Sequence, residues 1–150
     1  MEESMKVEKS VNISASPDKI WPYLTEPQKM KMWFDTFKKV EFLNKKHSGL
    51  GTTYYVEEKV PGPLRKINFE AVNWDENKRL TLRMTSGVGV KSYEMNWELK
   101  AEQSDTIFYF TEDLGMPFGI IGSIMGILGQ KTADKMVEGM LLNLKKISES

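Results

Sequence analysis

Cysteine is absent from this chain of 150 residues. Its absence excludes disulfides, thiol nucleophiles and cysteine-based metal sites, and it is compatible with a reducing cytoplasm, the compartment expected here. Histidine is nearly absent: His47 is the single one. It follows Lys45 and Lys46 in a predicted loop and reads as solvated, so a Ser-His-Asp triad or a histidine-rich metal site is hard to assemble. No metal or cofactor is expected. Net charge is lacking too, with 21 basic residues against 21 acidic ones, so no overall field draws nucleic acid or an anionic membrane. The opening Met1-Glu2-Glu3-Ser4 shows no basic region leading into an apolar one, and no secretory signal is expected. The uncharged run from Leu114 to Gln130 falls short of the roughly 20 apolar residues of a bilayer span. Pro117, Ser123 and several glycines interrupt it, and no transmembrane span is expected.

What is present suits one globular domain over residues 1–150, with 40% hydrophobic residues to form a single core. Met5 to Ile13 reads as a first strand, inward at Val7, Val11 and Ile13 apart from the polar Lys9. Ser16-Pro17-Asp18 signals a helix start, with Ser16 as cap, and Ile20, Trp21 and Leu24 face inward. Thr25-Glu26-Pro27-Gln28 restarts a second short helix with capping-box spacing, and Met30, Trp33 and Phe34 supply its apolar side. An antiparallel meander follows, in runs 37–44, 52–60, 64–75, 80–86, 90–101 and 106–114, separated by compact turns. With the first strand this makes seven.

Parity places Tyr54 and Val56; Ile67, Phe69 and Ala71; Leu80, Leu82 and Met84; Tyr93, Met95, Trp97 and Leu99; and Phe108 and Phe110 on one face. From Pro117 to about Ile147 the pattern predicts one long C-terminal helix. Gly115, Gly119, Gly122, Gly126 and Gly129 recur in steps of three and four, and the rhythm continues through Ala133, Met136, Met140, Asn143 and Ile147. If this stripe faces the sheet, its glycine half either lets backbones approach closely or leaves room. Its second half fills space with adaptable methionine. On the other side Ile120, Ile121, Ile124, Ile127 and Leu128 form an apolar surface in want of cover.

The string Ala15-Ser16-Pro17-Asp18-Lys19-Ile20-Trp21, with Leu24, Pro27 and Trp33, resembles the opening of the START-like, or SRPBCC, superfamily. That superfamily includes the Bet v 1-like plant proteins, the polyketide cyclase/dehydrase-like proteins and the Hsp90-ATPase activator homologues. Gly49-Leu50-Gly51 before a strand, Trp97-Glu98-Leu99, Asp105-Thr106 and the closing Leu142 to Lys146 with Glu149 fit the same pattern over nearly the whole chain, closest to the cyclase-like branch. The resemblance implies an α+β helix-grip fold, in which a seven-stranded antiparallel sheet curves around the long C-terminal helix. Two short helices follow the first strand, and a cavity lies between sheet and helix. It implies little about chemistry, since that fold hosts carriers, receptors, cyclases and co-chaperones.

Direct signals of chemistry are few. Gly87-Val88-Gly89 lacks the following helix of a phosphate loop and reads as a hairpin turn. Glu57-Glu58 and Glu112-Asp113 are adjacent along strands, so each pair splits between opposite faces and forms no dyad. Glu58, Arg65, Asn73 and Glu112 fall on the apolar face by parity near strand ends, where the ordinary expectation is that they reach solvent at the rim. Pointing inward, such a group would orient a ligand's polar end, as would Tyr54 or Tyr93.

The leading expectation is a protein that encloses a hydrophobic small molecule or lipid. Its site would be lined by Tyr54, Val56, Phe69, Leu82, Met84, Tyr93, Met95, Trp97, Phe108, Phe110, Gly122, Gly126 and Met136. A cyclase-type enzyme is the alternative, with a Tyr, Glu or Arg assisting proton transfer. An interaction module like the Hsp90 activators comes third, for want of a dedicated charged surface. The chain is expected to act as a monomer or homodimer, with peripheral membrane contact open and no nucleic-acid partner.

Overall fold

The computed structural model describes residues 3–60, 64–88, 90–116 and 122–150, without the side chains of 3, 116 and 122–128. Strand β1 (Glu3–Ile13) leads into helices α1 (Pro17–Thr25) and α2 (Pro27–Trp33). Strands β2 (Phe37–Phe42), β3 (Thr53–Glu58), β4 (Arg65–Asp75), β5 (Arg79–Gly87), β6 (Ser92–Glu102) and β7 (Asp105–Met116) follow, and helix α3 (Gly122–Glu149) closes the chain. All strand pairings are antiparallel, in the order β1-β7-β6-β5-β4-β3-β2. This is the α+β helix-grip architecture that the resemblance implied.

Proline sets the break between α1 and α2. Glu26 precedes Pro27, whose ring disfavours helical backbone at the residue before it, and Glu26 is extended at φ −89 and ψ 125. Glu26 therefore ends one helix and caps the next, while Thr25 belongs to α1 and donates its hydroxyl to the Trp21 carbonyl at 3.2 Å. The expected capping box at Thr25 does not form. Ser16 does occupy the N-cap of α1, but through its carbonyl, which accepts from Lys19 and Ile20 N–H, and not through its side chain.

The predicted parity holds along most strands because the buried face needs a continuous apolar lining. Tyr54, Val56, Phe69, Leu82, Tyr93, Met95, Trp97, Phe108 and Phe110 are all buried, and Met84 is half-buried against them. One departure comes from a bulge in β4 between Ala71 and Asn73, opposite β5. The extra residue turns Asn73 away, to pair with Thr81, and turns Trp74 inward beside Leu80, where it meets Trp21 edge-on with ring centroids 5.6 Å apart. Asn73 is thus not on the apolar face.

Helix α3 runs alongside β1, tied at both ends. Gln130 donates to the Lys6 carbonyl, Lys9 pairs with Glu138 at 3.1 Å, Lys145 donates to the Asn12 carbonyl and Glu149 accepts from Ser14 N–H. Lys9 therefore leaves the apolar face for α3, which explains the polar residue in the first strand. On the opposite flank Asn143 donates to Asp35, just after α2. The buried line of the helix is Val137, Met140, Leu141, Leu144 and Ser148, with Ala133, Met136 and Ile147 only half-buried. The inward face is thus rotated by about one residue from the predicted stripe, because Asn143 turns to Asp35.

Gly115 lies in β7 and not on the helical stripe. It pairs with Ser4 and Ser92, and a Cβ there would collide with the Ser92 hydroxyl. Gly129 does serve close approach, since a Cβ there would stand 3.1 Å from Met5 Cε. Gly119, Ile120 and Ile121 lie outside the described residues. The surroundings of Gly122, Ile124, Gly126, Ile127 and Leu128 do as well, although their backbone is helical. Among the described residues no helix is long and apolar enough to cross a membrane.

Candidate functional site

The concave face divides into an aromatic end and a polar end. At the aromatic end α2 inserts Trp33, whose ring lies 5.1 Å from Trp97 and 5.7 Å from Phe108, while Phe34 stacks on Phe37 at 3.8 Å. Trp33 Nε1 donates to the Tyr23 carbonyl at 2.8 Å, so its one polar atom is satisfied. This end is solidly filled. Tyr54, expected as a group free to orient a ligand, is instead structural. Its hydroxyl donates to the Thr25 carbonyl at 2.7 Å, tying β3 to α1, and burial raises its pKa.

The polar end is built from four strands. Glu58 closes β3 and faces Arg65, its cross-strand partner at the start of β4. Tyr93 opens β6, and Glu112 lies near the end of β7. The curvature of the sheet carries β3 toward β6 and β7 even though two strands lie between β3 and β6 and three between β3 and β7. Tyr93 is long enough to span the gap, with its hydroxyl 2.6 Å from Glu112 Oε1 and 3.2 Å from Glu58 Oε2. Thr36, between α2 and β2, donates to Glu58 Oε2 at 2.9 Å. Arg65 Nη1 stands 3.5 Å from Glu58 Oε1, an ion pair without a hydrogen bond, so Glu58 Oε1 is buried and lacks a hydrogen-bonding partner.

Of the polar groups expected at the rim, Glu58 is therefore buried, at 2% exposure, and Glu112 and Arg65 are half-buried. Three inward neighbours hold Glu58 in place, and its interior position follows from them. Burial pushes the Glu112 carboxyl up to about 7; the charge of Glu58 adds to the rise, while Tyr93 and Arg65 oppose it. Burial also raises Glu58, against the pull of Arg65, Thr36 and Tyr93. The Tyr93 hydroxyl is raised in turn by burial and by both carboxylates.

One phenol between two carboxyl groups has a single proton to donate. With Glu112 ionised, that proton goes to the shorter contact. With Glu112 protonated, the order Glu112 to Tyr93 to Glu58 gives each oxygen pair one hydrogen. The arrangement can hold, pass or exchange a proton on an otherwise apolar surface. Parity put Glu58 and Glu112 on the apolar face, with the rim as the expected outcome; sequence reasoning did not bring them together, and it did not find Thr36. Trp97 Nε1 is a second buried polar atom with no partner among the described residues.

His47 is exposed in its loop, stacked on Phe42 at 4.0 Å, apart from this site. An open cleft of about 780 Å³ lies elsewhere, beside Pro17, Asp18, Asn77 and Tyr109. It includes none of the residues expected to bind a ligand.

Known structures share this architecture. TTHA0849 from Thermus thermophilus superposes with a TM-score of 0.81 at 20% identity, over 95% of this chain and 96% of its own. A START superfamily protein from Mycobacterium smegmatis gives 0.75 at 14% identity, over 95% and 98%. The Zhui aromatase/cyclase from Streptomyces sp. R1128 gives 0.71 at 19% identity, over 98% and 94%. At these identities the likeness is one of fold. No curated protein matches the sequence. The family model for polyketide cyclase / dehydrase and lipid transport matches residues 4–149, and the chain belongs to that family.

Proposed function

We propose that the protein binds a hydrophobic small molecule or lipid on its concave face, between the sheet and α3, with the apolar part against Phe69, Met84, Met95 and their neighbours. The observation that carries this reading is the exposure of Glu112. Its strand parity points it inward with Phe108 and Phe110, yet it remains half-exposed while those two are buried. Met84, on the same face, is half-exposed too. Such exposure is compatible with open space on this face, near the strand-end rim, and open apolar space with a few converging polar groups is the usual form of a ligand site. The glycines at 122 and 126 are part of the same proposal, as positions where α3 brings no bulk.

Fluorescence of N-phenyl-1-naphthylamine, an uncharged apolar probe, tests the reading. The wild-type protein is expected to take it up, and a variant with Gly122→Leu and Gly126→Leu together is expected to lose most of that uptake while keeping its circular dichroism spectrum. Unchanged uptake in the folded double variant would refute a cavity beneath this part of the helix.

A cyclase-type reaction is the second reading, favoured by the Glu112–Tyr93–Glu58 chain. A protonated carboxyl and a carboxylate in one apolar site can serve as acid and base. Native mass spectrometry separates the two, since a carrier returns its ligand unchanged and an enzyme converts it.

A further inference from the structure

We propose that the edge of the molecule formed by α2, β2 and the loop of residues 43–52 docks on an anionic lipid surface, with Leu50 entering the bilayer interface and the lysines around it meeting the headgroups. This surface is separate from the concave face and stands or falls independently of the ligand reading above.

The even balance of charge over the whole chain conceals an uneven distribution. Residues 27–56 carry six lysines against Asp35 and Glu41, a net charge of +4, while the rest of the chain carries 15 basic and 19 acidic residues, a net charge of −4. These residues are also neighbours in space. β2 lies at one end of the sheet order and α2 leads directly into it. Phe42, at the end of β2, stacks on His47 of the loop, and Tyr54 ties the next strand to Thr25, just before α2. Both acids are occupied, since Asp35 accepts from Asn143 and Glu41 pairs with Lys39 at 3.0 Å. Lys29 pairs with Glu26. Lys31, Lys38, Lys45 and Lys46 make no ion pair among the described residues, and residues 42–56 contain no acid at all.

The loop is built around Leu50. Thr52 donates to the Gly49 carbonyl through its N–H at 3.2 Å and through its hydroxyl at 2.8 Å. Gly51, at φ 88, supplies the positive φ that the third residue of a type II turn requires. Its N–H donates to the Ala71 carbonyl, and Ala71 N–H donates to that of Thr52, which fastens the turn to β4. Leu50 therefore stands at the tip of a fixed turn, 64% exposed. Lys46 lies along the same turn, with Nζ 3.7 Å from where a Cβ on Gly49 would stand and Cε 3.8 Å from one on Gly51. Met32 and Leu43, on the same edge, are 54% and 45% exposed.

A single exposed leucine needs no explanation. A turn that holds one outward, with an ammonium beside it and further unpaired lysines on the same edge, has the make-up of an interfacial membrane contact, in which aliphatic groups enter the acyl boundary and cations meet anionic headgroups. Nucleic acid is held by cations and by stacking on aromatic rings, and gains nothing from an aliphatic tip.

Co-sedimentation with vesicles of phosphatidylcholine alone, and of phosphatidylcholine with about one third phosphatidylserine, tests this. The protein should bind the second kind at least about tenfold more tightly at about 0.1 M salt and lose most of that preference at about 0.5 M. Lys45→Glu with Lys46→Glu should weaken binding to the anionic vesicles at least about 25-fold, since each lysine near such a surface contributes about fivefold. Leu50→Ser should weaken it several-fold and leave the salt dependence in place. Lys131→Glu with Lys135→Glu makes the same change in net charge on α3, and should weaken binding far less. All five side chains are exposed, so each variant should keep the circular dichroism spectrum of the parent. Equal binding to the two kinds of vesicle, or none to either, overturns the proposal, and so does an equal loss in the α3 variant. Binding that depends on Lys45 and Lys46 but not on Leu50 overturns it too, because electrostatic adsorption needs no inserted tip.

Discussion

Replacing Glu112 by glutamine should stabilise the protein at alkaline pH and do little in acid. The ordinary carboxyl value is 4.5, and in the fold that of Glu112 is pushed up to about 7, chiefly by burial. The folded state thus holds this proton more tightly than the unfolded chain does. Below the unfolded value both states are protonated and the carboxyl carries no penalty. Between there and about 7 the unfolded chain releases its proton while the fold retains it, so stability falls as pH rises. Above that range the loss is complete. A rise of this size corresponds to about 3 kcal/mol, an upper bound because Glu112 is half-buried and partly screened by water. Glutamine keeps the shape and a donor for Tyr93 but does not titrate. Urea unfolding of both proteins from about pH 4 to about pH 8.5 gives the difference directly. The variant should gain on the wild type by up to about 1.4 kcal/mol per pH unit through the middle of that range, then level off. A difference that stays flat, or that grows toward acid, refutes the burial of this carboxyl.

Two further substitutions test how the site is framed. Tyr54→Phe removes the hydroxyl that ties β3 to the Thr25 carbonyl and should cost about 1–3 kcal/mol by chemical denaturation, since that carbonyl is left without its donor; no measurable loss would show that the tie is not made. Trp33→Ala empties the middle of the aromatic end, where Trp33 is fully buried against Trp97 and Phe108. It should cost about 3–5 kcal/mol, with Trp33→Phe costing distinctly less; a small loss for Trp33→Ala would place that ring outside the core.

The fold was legible because most of its strands alternate and its face is built from large residues that have nowhere else to go. Tyr93, Met95, Trp97 and Leu99 in β6, and Phe108 and Phe110 in β7, announce a buried face by period alone. The misreadings have local causes. The bulge between Ala71 and Asn73 exchanges Asn73 for Trp74 on that face, and no glycine or proline in the strand marks it. Thr25 has the right spacing for a cap, but the residue before Pro27 is the one driven out of helix, so the break falls at Glu26. Gly115 fits a helical rhythm with the later glycines, yet β7 runs on to Met116 because both of its neighbours continue to pair.

The site was only half legible, for a reason that lies in the geometry of a curved sheet. Parity assigns each residue a face, and it placed Glu58, Arg65, Tyr93 and Glu112 on the inner one. Parity says nothing of which strands meet across the hollow. Glu58 and Glu112 belong to strands separated by β4, β5 and β6 in the sheet order, and in a flat sheet they would not interact. Here the sheet closes far enough for one tyrosine to reach both. The expectation that charged groups escape to the rim failed for Glu58, because curvature turns a strand end that would otherwise be a rim into part of an interior. That interior is costly, since two carboxyl groups with raised pKa values face one guanidinium. A purely structural cluster of this kind could be replaced by apolar residues at little loss or some gain.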